Sequence, residues 1–184
     1  MEVWEEKFAD VKILRYELTG FEELSLKQQQ YIYYLSQAAL CGRDLIWDQN
    51  NRYNLKIRLL LETVYKSFQG DRSSVDFRAF HTYLKRVWFA NGIHHHYSTD
   101  KFEPTPDRPA FEAILRQSDL ESFRFKRELG ELLDVIFGHD REQKRVNRDG
   151  SADLLTASAM NFYRNVSRHE AELFYRDRRE GAGE

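Results

Sequence analysis

His94, His95 and His96 stand in a row within Asn91-Gly92-Ile93-His94-His95-His96-Tyr97-Ser98-Thr99-Asp100-Lys101-Phe102, and they are half of the six histidines in the chain. Imidazole binds metals and titrates near neutrality, so metal, proton-transfer or hydrogen-bonding chemistry is sought here first. Adjacent residues on an extended backbone point to opposite faces. Only His94 and His96 could therefore share an ion, with a third ligand such as Asp100 brought from elsewhere. Imidazoles that hydrogen-bond a loop or a ligand are the simpler expectation.

No other spacing assembles catalytic chemistry. His169-Glu170 opens like the H-E-x-x-H helix of a zinc peptidase, but Leu173 stands where the second histidine must be, and Ser167 with Glu170 already has the form of a helix-capping box. Aligning Gly150 with the invariant glycine of a calcium loop puts Arg145 and Thr156 at positions that need oxygen-rich acidic ligands, so the stretch reads as an ordinary turn. Cys41 is the only cysteine, which excludes an internal disulfide and a cysteine-based zinc site. No phosphate-binding glycine loop and no nucleophile elbow occur. No catalytic or metal-ligating residue is assigned, and no cofactor is expected in this chain.

The elements that must position the histidine run are helices. Phe77, Phe80, Leu84, Val87 and Trp88 recur at helical spacing up to Gly92, after a start marked by Ser73 with Asp76, so the imidazoles are expected on an ordered loop between bulky anchors. Upstream, Ser25 with Gln28 opens a helix near Leu26. The pattern continues into Arg43–Asn50, with Gly42 as a kink or a helix end. Ile57, Leu60, Leu61, Val64 and Phe68 form the next stripe, with Gly70 expected as its left-handed cap. Pro104, Pro106 and Pro109 are the only prolines, and they mark an internal boundary at 103–109. Beyond it, Phe111, Ile114 and Leu115 predict a short helix. Leu129, Leu132, Leu133, Ile136 and Phe137 predict a stronger one that ends at Gly138, and Ser167-Arg168-His169-Glu170 starts the last. Residues 176–184 offer no core residue and are expected to fray. Val11–Leu18 is the best strand candidate. The expected fold is mainly α, a single domain over residues 1–184 with about six helices and at most a short N-terminal strand.

Of the 184 residues, 41% are hydrophobic and 14% aromatic, enough for a real core despite 32% charged residues. Twenty-eight Lys and Arg against 30 Asp and Glu give a net charge of -2, so no global positive field attracts nucleic acid or an anionic membrane. No apolar run has transmembrane length. The expected compartment is the cytoplasm, or the periplasm if a leader has been removed.

Taken together, Phe8–Tyr16, Gly42–Asn50 and Asn91–Tyr97 through Lys101-Phe102 closely resemble the N-terminal part of bacterial dipeptidyl peptidase III. The similarity continues through Lys144–Asn147, Ala157–Tyr163 and Ala171–Tyr175, and so covers nearly the whole chain. The resemblance implies a two-lobed zinc exopeptidase that removes dipeptides from peptide N-termini. The family holds its zinc with H-E-x-x-G-H and a downstream E-E-x-x-A/R-D helix, and neither motif occurs in residues 1–184. The resemblance therefore implies an N-terminal portion, inactive alone, from the lobe that does not hold the metal. Zinc belongs to the full-length parent. The implied partners are the peptide substrate and the C-terminal catalytic part of the same protein. By the same resemblance, the loop after Gly92 forms part of the cleft wall. His94, His95, His96 and Tyr97 are then candidates for substrate contact, with His96 and Tyr97 foremost, and Asn91, Gly92, Asp100, Lys101 and Phe102 would support the loop. Tyr97 and Phe102 could equally be anchors of the loop on the helices. The rival from another class is a self-contained helical protein-binding module, favoured by the aromatic richness and the lack of a catalytic set.

Overall fold

A computed structural model describes residues 4–181. It is mainly helical, with one two-stranded antiparallel sheet near the N-terminus. The chain divides into two compact units, Met1–Ile46 and Trp47–Glu184.

The first unit opens with β1 (Trp4–Phe8) and β2 (Val11–Leu14), where Phe8 pairs with Val11 across a turn in which Ala9 takes a φ of 46°. The predicted strand is thus four residues long rather than eight, and the strand it pairs with lacked a clear alternation of its own. Helix α1 (Leu26–Cys41) starts at Ser25 with both bonds of the capping box in place. Gly42 proves to be a helix end: its backbone N–H bonds the carbonyls of Ala38 and Ala39, and α2 (Arg43–Asn50) begins at the next residue.

The second unit contains the core. Helix α3 (Asn54–Ser67) contributes Ile57, Leu60, Leu61 and Val64, and α4 (Val75–Ala90) contributes Phe77, Phe80, Tyr83, Leu84 and Val87. The two stripes pack on each other, and α5 (Arg108–Arg116) and α6 (Leu129–Phe137) close the cluster with Phe111, Ile114, Leu132 and Ile136. A run of aromatic rings threads it: Phe68 stacks on Phe77 at 4.5 Å between centroids, Phe77 meets Phe80 at 5.6 Å, Phe80 meets Phe111 at 5.6 Å, and Phe111 meets Phe137 at 5.4 Å. Arg108 ties α5 to α6 through Asp134 at 2.7 Å.

Three local expectations are corrected. Ser74, not Ser73, caps α4 by accepting from the Phe77 N–H, while Ser73 is used one step earlier in a turn around Asp71. Gly70 is not in the left-handed region. Its lack of a side chain serves close packing, since a Cβ there would collide with Gln117 and the Phe68 ring. The C-terminal stretch is helical rather than frayed through Gly181, because α7 (Arg168–Gly181) starts from the predicted box, in which the Ser167 N–H donates to Glu170 at 2.7 Å and the Glu170 N–H returns to Ser167 Oγ at 3.2 Å. Residues 182–184 lie outside the described residues. The proline segment 103–109 lies inside the second unit, where Asp107 caps α5 and Pro109 occupies its first turn as predicted. Among the described residues, no helix is long and apolar enough to cross a membrane.

Candidate functional site

The histidine run begins where α4 stops. Asn91 adopts the left-handed conformation, φ 52° and ψ 43°, and Gly92 follows at φ 150°. Gly92 is required twice over: its φ lies where side chains are strained, and a Cβ would strike the Asn54 amide. Asn54 is fully buried in the first turn of α3. Its Oδ1 accepts the Ile93 N–H at 3.1 Å, and its Nδ2 donates to the Trp47 carbonyl at 3.2 Å. The Asn91 carbonyl accepts from Asn50 Nδ2 at 3.1 Å. Two asparagines of the Asn50–Asn54 stretch therefore satisfy backbone groups that the abrupt helix end leaves without partners.

From there the chain makes a narrow hairpin-like excursion. Ile93 and Phe102 are joined by a backbone bond of 2.9 Å, His95 and Asp100 by one of 2.8 Å, and the Thr99 N–H closes the tip on the His95 carbonyl at 3.0 Å. The returning limb pairs with the chain after α6: the Lys101 N–H reaches the Gln143 carbonyl at 2.8 Å, and the Arg145 N–H reaches the Thr99 carbonyl at 2.8 Å. Residues 144 and 145 in turn accept from Ala159 and Met160. A layer of extended chain thus sits beside the helices, assembled from segments far apart in sequence.

The four candidate contact residues are not equivalent. His94 is only 2% exposed. Its Nε2 donates to the Glu142 carbonyl at 2.6 Å, while its Nδ1 is buried with no partner among the described residues. Burial holds its pKa down at about 4, helped by the nearby Arg145 and Lys101 charges and opposed by the Glu142 bond. The structure thus places His94 inside the fold. His95 is half-buried, with its Nδ1 accepting the N–H groups of Tyr97 and Ser98 at 3.2 and 3.1 Å, and its ring stacks on His96 at 4.5 Å. His96 lies between that ring, Phe89 at 5.0 Å and Tyr97 at 4.4 Å, and its carbonyl is held by Arg145 Nη2 at 3.2 Å. Tyr97 is 84% exposed. Anchoring therefore falls to Phe102, buried against the core with the Arg86 guanidinium over its ring, and not to Tyr97.

The supporting residues work as ties. Lys101 extends its ammonium to the carbonyls of Val135, Gly138 and Arg141, gathering the end of α6 and the loop beyond it. Partial burial lowers its pKa. Asp100 meets Lys144 Nζ at 3.1 Å, and bonds from Lys144 and Ser98 hold its carboxyl below the usual range. Two residues that the sequence reading did not assign to this site matter as much. Asn51, wholly buried, donates to Glu142 Oε2 at 2.7 Å and to the Ala159 carbonyl at 3.1 Å. Arg145 bridges Asn50 Oδ1 at 3.3 Å and the His96 carbonyl. Polar residues in a short interhelix stretch carry no periodic signal, and only the density of asparagine in Asn50–Asn54 hinted that backbone groups needed satisfying there.

Tyr97, Ser98 and Thr99 line a groove of about 1140 Å³ together with residues of the 142–149 and 155–166 segments. The lining is predominantly polar and mixed in charge, and it includes a second tyrosine, Tyr163. His94 Nε2 is committed to a carbonyl and His95 Nδ1 to two amides, and among the described residues no three His, Cys, Asp or Glu side chains are grouped to hold an ion.

No family model matches the chain, and no curated protein matches it. What the geometry offers is a polar groove lined in part by the exposed Tyr97.

Proposed function

We propose that the chain is the N-terminal part of a dipeptidyl peptidase III-like zinc exopeptidase whose metal is held by residues outside these 184, and that it contributes one wall of the peptide-binding cleft. The observation that carries this reading is Tyr97. An aromatic side chain held 84% exposed in the lining of a groove, on a loop tied down by Asn54, Arg145 and Lys101, is costly to present and well suited to recognition. The polar lining suits a peptide backbone, which offers donors and acceptors in alternation. Support for the wider family comes from the sequence strings alone, and the chain by itself is assigned no catalysis because neither zinc motif of that family occurs in its sequence. A self-contained helical protein-binding module is the second reading, and the exposed aromatics of α1 suit it as well as they suit a portion of a larger protein.

The test is the double variant His96→Ala/Tyr97→Ala in the full 184-residue chain, read by peptide-binding affinity and by melting temperature. Loss of one or two contacts at about 1 kcal/mol each should weaken binding roughly five- to thirtyfold. Unchanged affinity would remove the loop from the binding surface. A longer reading frame encoding H-E-x-x-G-H downstream supports the peptidase assignment, and a complete frame without it supports the binding module.

A further inference from the structure

Four cations (Arg52, Lys144, Arg148, Arg164) and three carboxylates (Asp140, Glu142, Asp149) line the groove, an excess of one positive charge. Arg52 reaches Glu142 Oε1 at 3.3 Å, and Lys144 is committed to Asp100. On the acidic side, Glu142 also accepts from Asn51, and Asp149 accepts the Ser151 N–H and hydroxyl at 3.0 and 2.9 Å. Asp140 lies in the field of the Lys101 ammonium. Arg148 and Arg164 line the same groove, both are exposed, and neither has a partner of any kind among the described residues.

The backbone that carries these two arginines is ordered by its own bonds. Segments 144–147 and 158–160 are joined by Ala159 N–H to Lys144 O at 2.9 Å, Met160 N–H to Arg145 O at 3.1 Å and Asn147 N–H to Ser158 Oγ at 2.8 Å. Asn147 Oδ1 then takes the Asp149 N–H at 3.0 Å, bracketing Arg148, and Asn165 turns the chain directly after Arg164 with a φ of 55°. A guanidinium is a planar fork of five N–H donors that matches a carboxylate bidentately. Two such forks, carried on ordered backbone and lining one groove with the exposed Tyr97 and Tyr163, make a surface for an anionic chain with aromatic or apolar content.

We infer that the groove selects acidic peptides, with Arg148 and Arg164 receiving carboxylates of the ligand. This rests on the peptide-groove reading above and adds the charge of the ligand to it. The carboxylates are either Asp and Glu side chains or the peptide C-terminus, and the experiment separates the two.

Fluorescently labelled short peptides on one aromatic-containing framework are titrated with the full 184-residue chain and read by anisotropy: a Glu form with amidated C-terminus, its Gln counterpart with amidated C-terminus, the same Gln form with a free C-terminus, and a Lys form. The expected result is affinity at least about tenfold higher for a carboxylate-bearing peptide than for the Gln amide, a gap that narrows as salt is added. Preference for the Glu amide assigns side-chain carboxylates, and preference for the free-acid Gln form assigns the C-terminus. The double variant Arg148→Gln/Arg164→Gln should erase the gap while leaving the circular dichroism spectrum and melting temperature unchanged. Arg148→Lys/Arg164→Lys, which keeps the charge and removes the fork, should retain only part of it. Equal binding of all forms, or a preference for the Lys form, overturns the inference while leaving the peptide groove standing. Binding of none overturns both.

Discussion

His94 shows how far burial can redirect a residue that looks like a site. Above its ordinary value of 6.5 the ring is neutral whether the chain is folded or unfolded, so it adds no pH dependence there. Between 6.5 and about 4 the unfolded chain takes up a proton that the folded chain, with His94 buried beside Arg145 and Lys101, refuses. Stability should therefore fall as the pH drops through that window, by up to about 3 kcal/mol, and flatten below it. Urea denaturation of the native chain and of His94→Gln, followed from pH 7 to 4.5, checks this: the variant should lose most of the slope, since glutamine can still donate to the Glu142 carbonyl but takes no proton. An identical slope in both proteins would assign the acid sensitivity to other groups. Tyr97 is the opposite case. Because it is 84% exposed, Tyr97→Ala alone should leave stability within about 0.5 kcal/mol of the native value, measured by the same denaturation.

At the scale of elements, the decisive junction is the end of α4 against the start of α3. Gly92→Ala would force a side chain into a φ of 150° and into the Asn54 amide that caps the Ile93 N–H. A loss of about 2–4 kcal/mol is expected, from backbone strain together with the displaced hydrogen bonds. Gly130 is the control. It lies in the first turn of α6 with nothing near the place a Cβ would take, so Gly130→Ala should be neutral or stabilise by up to about 1 kcal/mol. Thermal melts of the two variants side by side test the pair. If both glycines tolerate alanine equally, the close approach of Asn54 to Gly92 does not govern the loop. The hydrophobic stripes of α3, α4, α5 and α6 were legible in the sequence because their burial repeats every three or four residues, and the capping boxes at Ser25 and Ser167 because their side-chain bonds are local. Gly70 and Ser73 misled for the same reason. A glycine after a helix suggests a cap only where no other demand exists, and at Gly70 the demand is the approach of Gln117 and Phe68.

Over the whole molecule, stability is unevenly distributed. Helices α3 and α4 each contribute five or more fully or nearly fully buried side chains, whereas α1 has no buried residue and exposes Leu26, Tyr31, Tyr34 and Leu40. A helix fixed by little apolar burial opens readily, so native-state hydrogen exchange of the chain should release the amides of Leu26–Cys41 well before those of the facing stripes of α3 and α4. Equal protection would show that α1 is covered in solution. Addition of the binding-competent remainder of a longer protein should slow exchange in α1 if the chain is a portion of one.

What the sequence determined by itself is what nearest neighbours along the chain determine: helical periodicity, the capping boxes, the glycine after α4, the mainly helical class, and the lack of a complete metal or nucleophile motif. What only the tertiary structure decided is which polar residues meet. The pairing of Ile93–His95 with Asp100–Phe102, of Lys101 and Thr99 with Gln143 and Arg145, and of those with Ala159 and Met160 spans more than sixty residues of chain, and no local pattern encodes it. That pairing buries His94, turns Tyr97 outward, and sets Arg148 and Arg164 on one groove. The physical reason is that a hydrogen-bonding side chain reads alike in sequence whether water or the backbone of a distant segment satisfies it, and only the packed chain chooses between them.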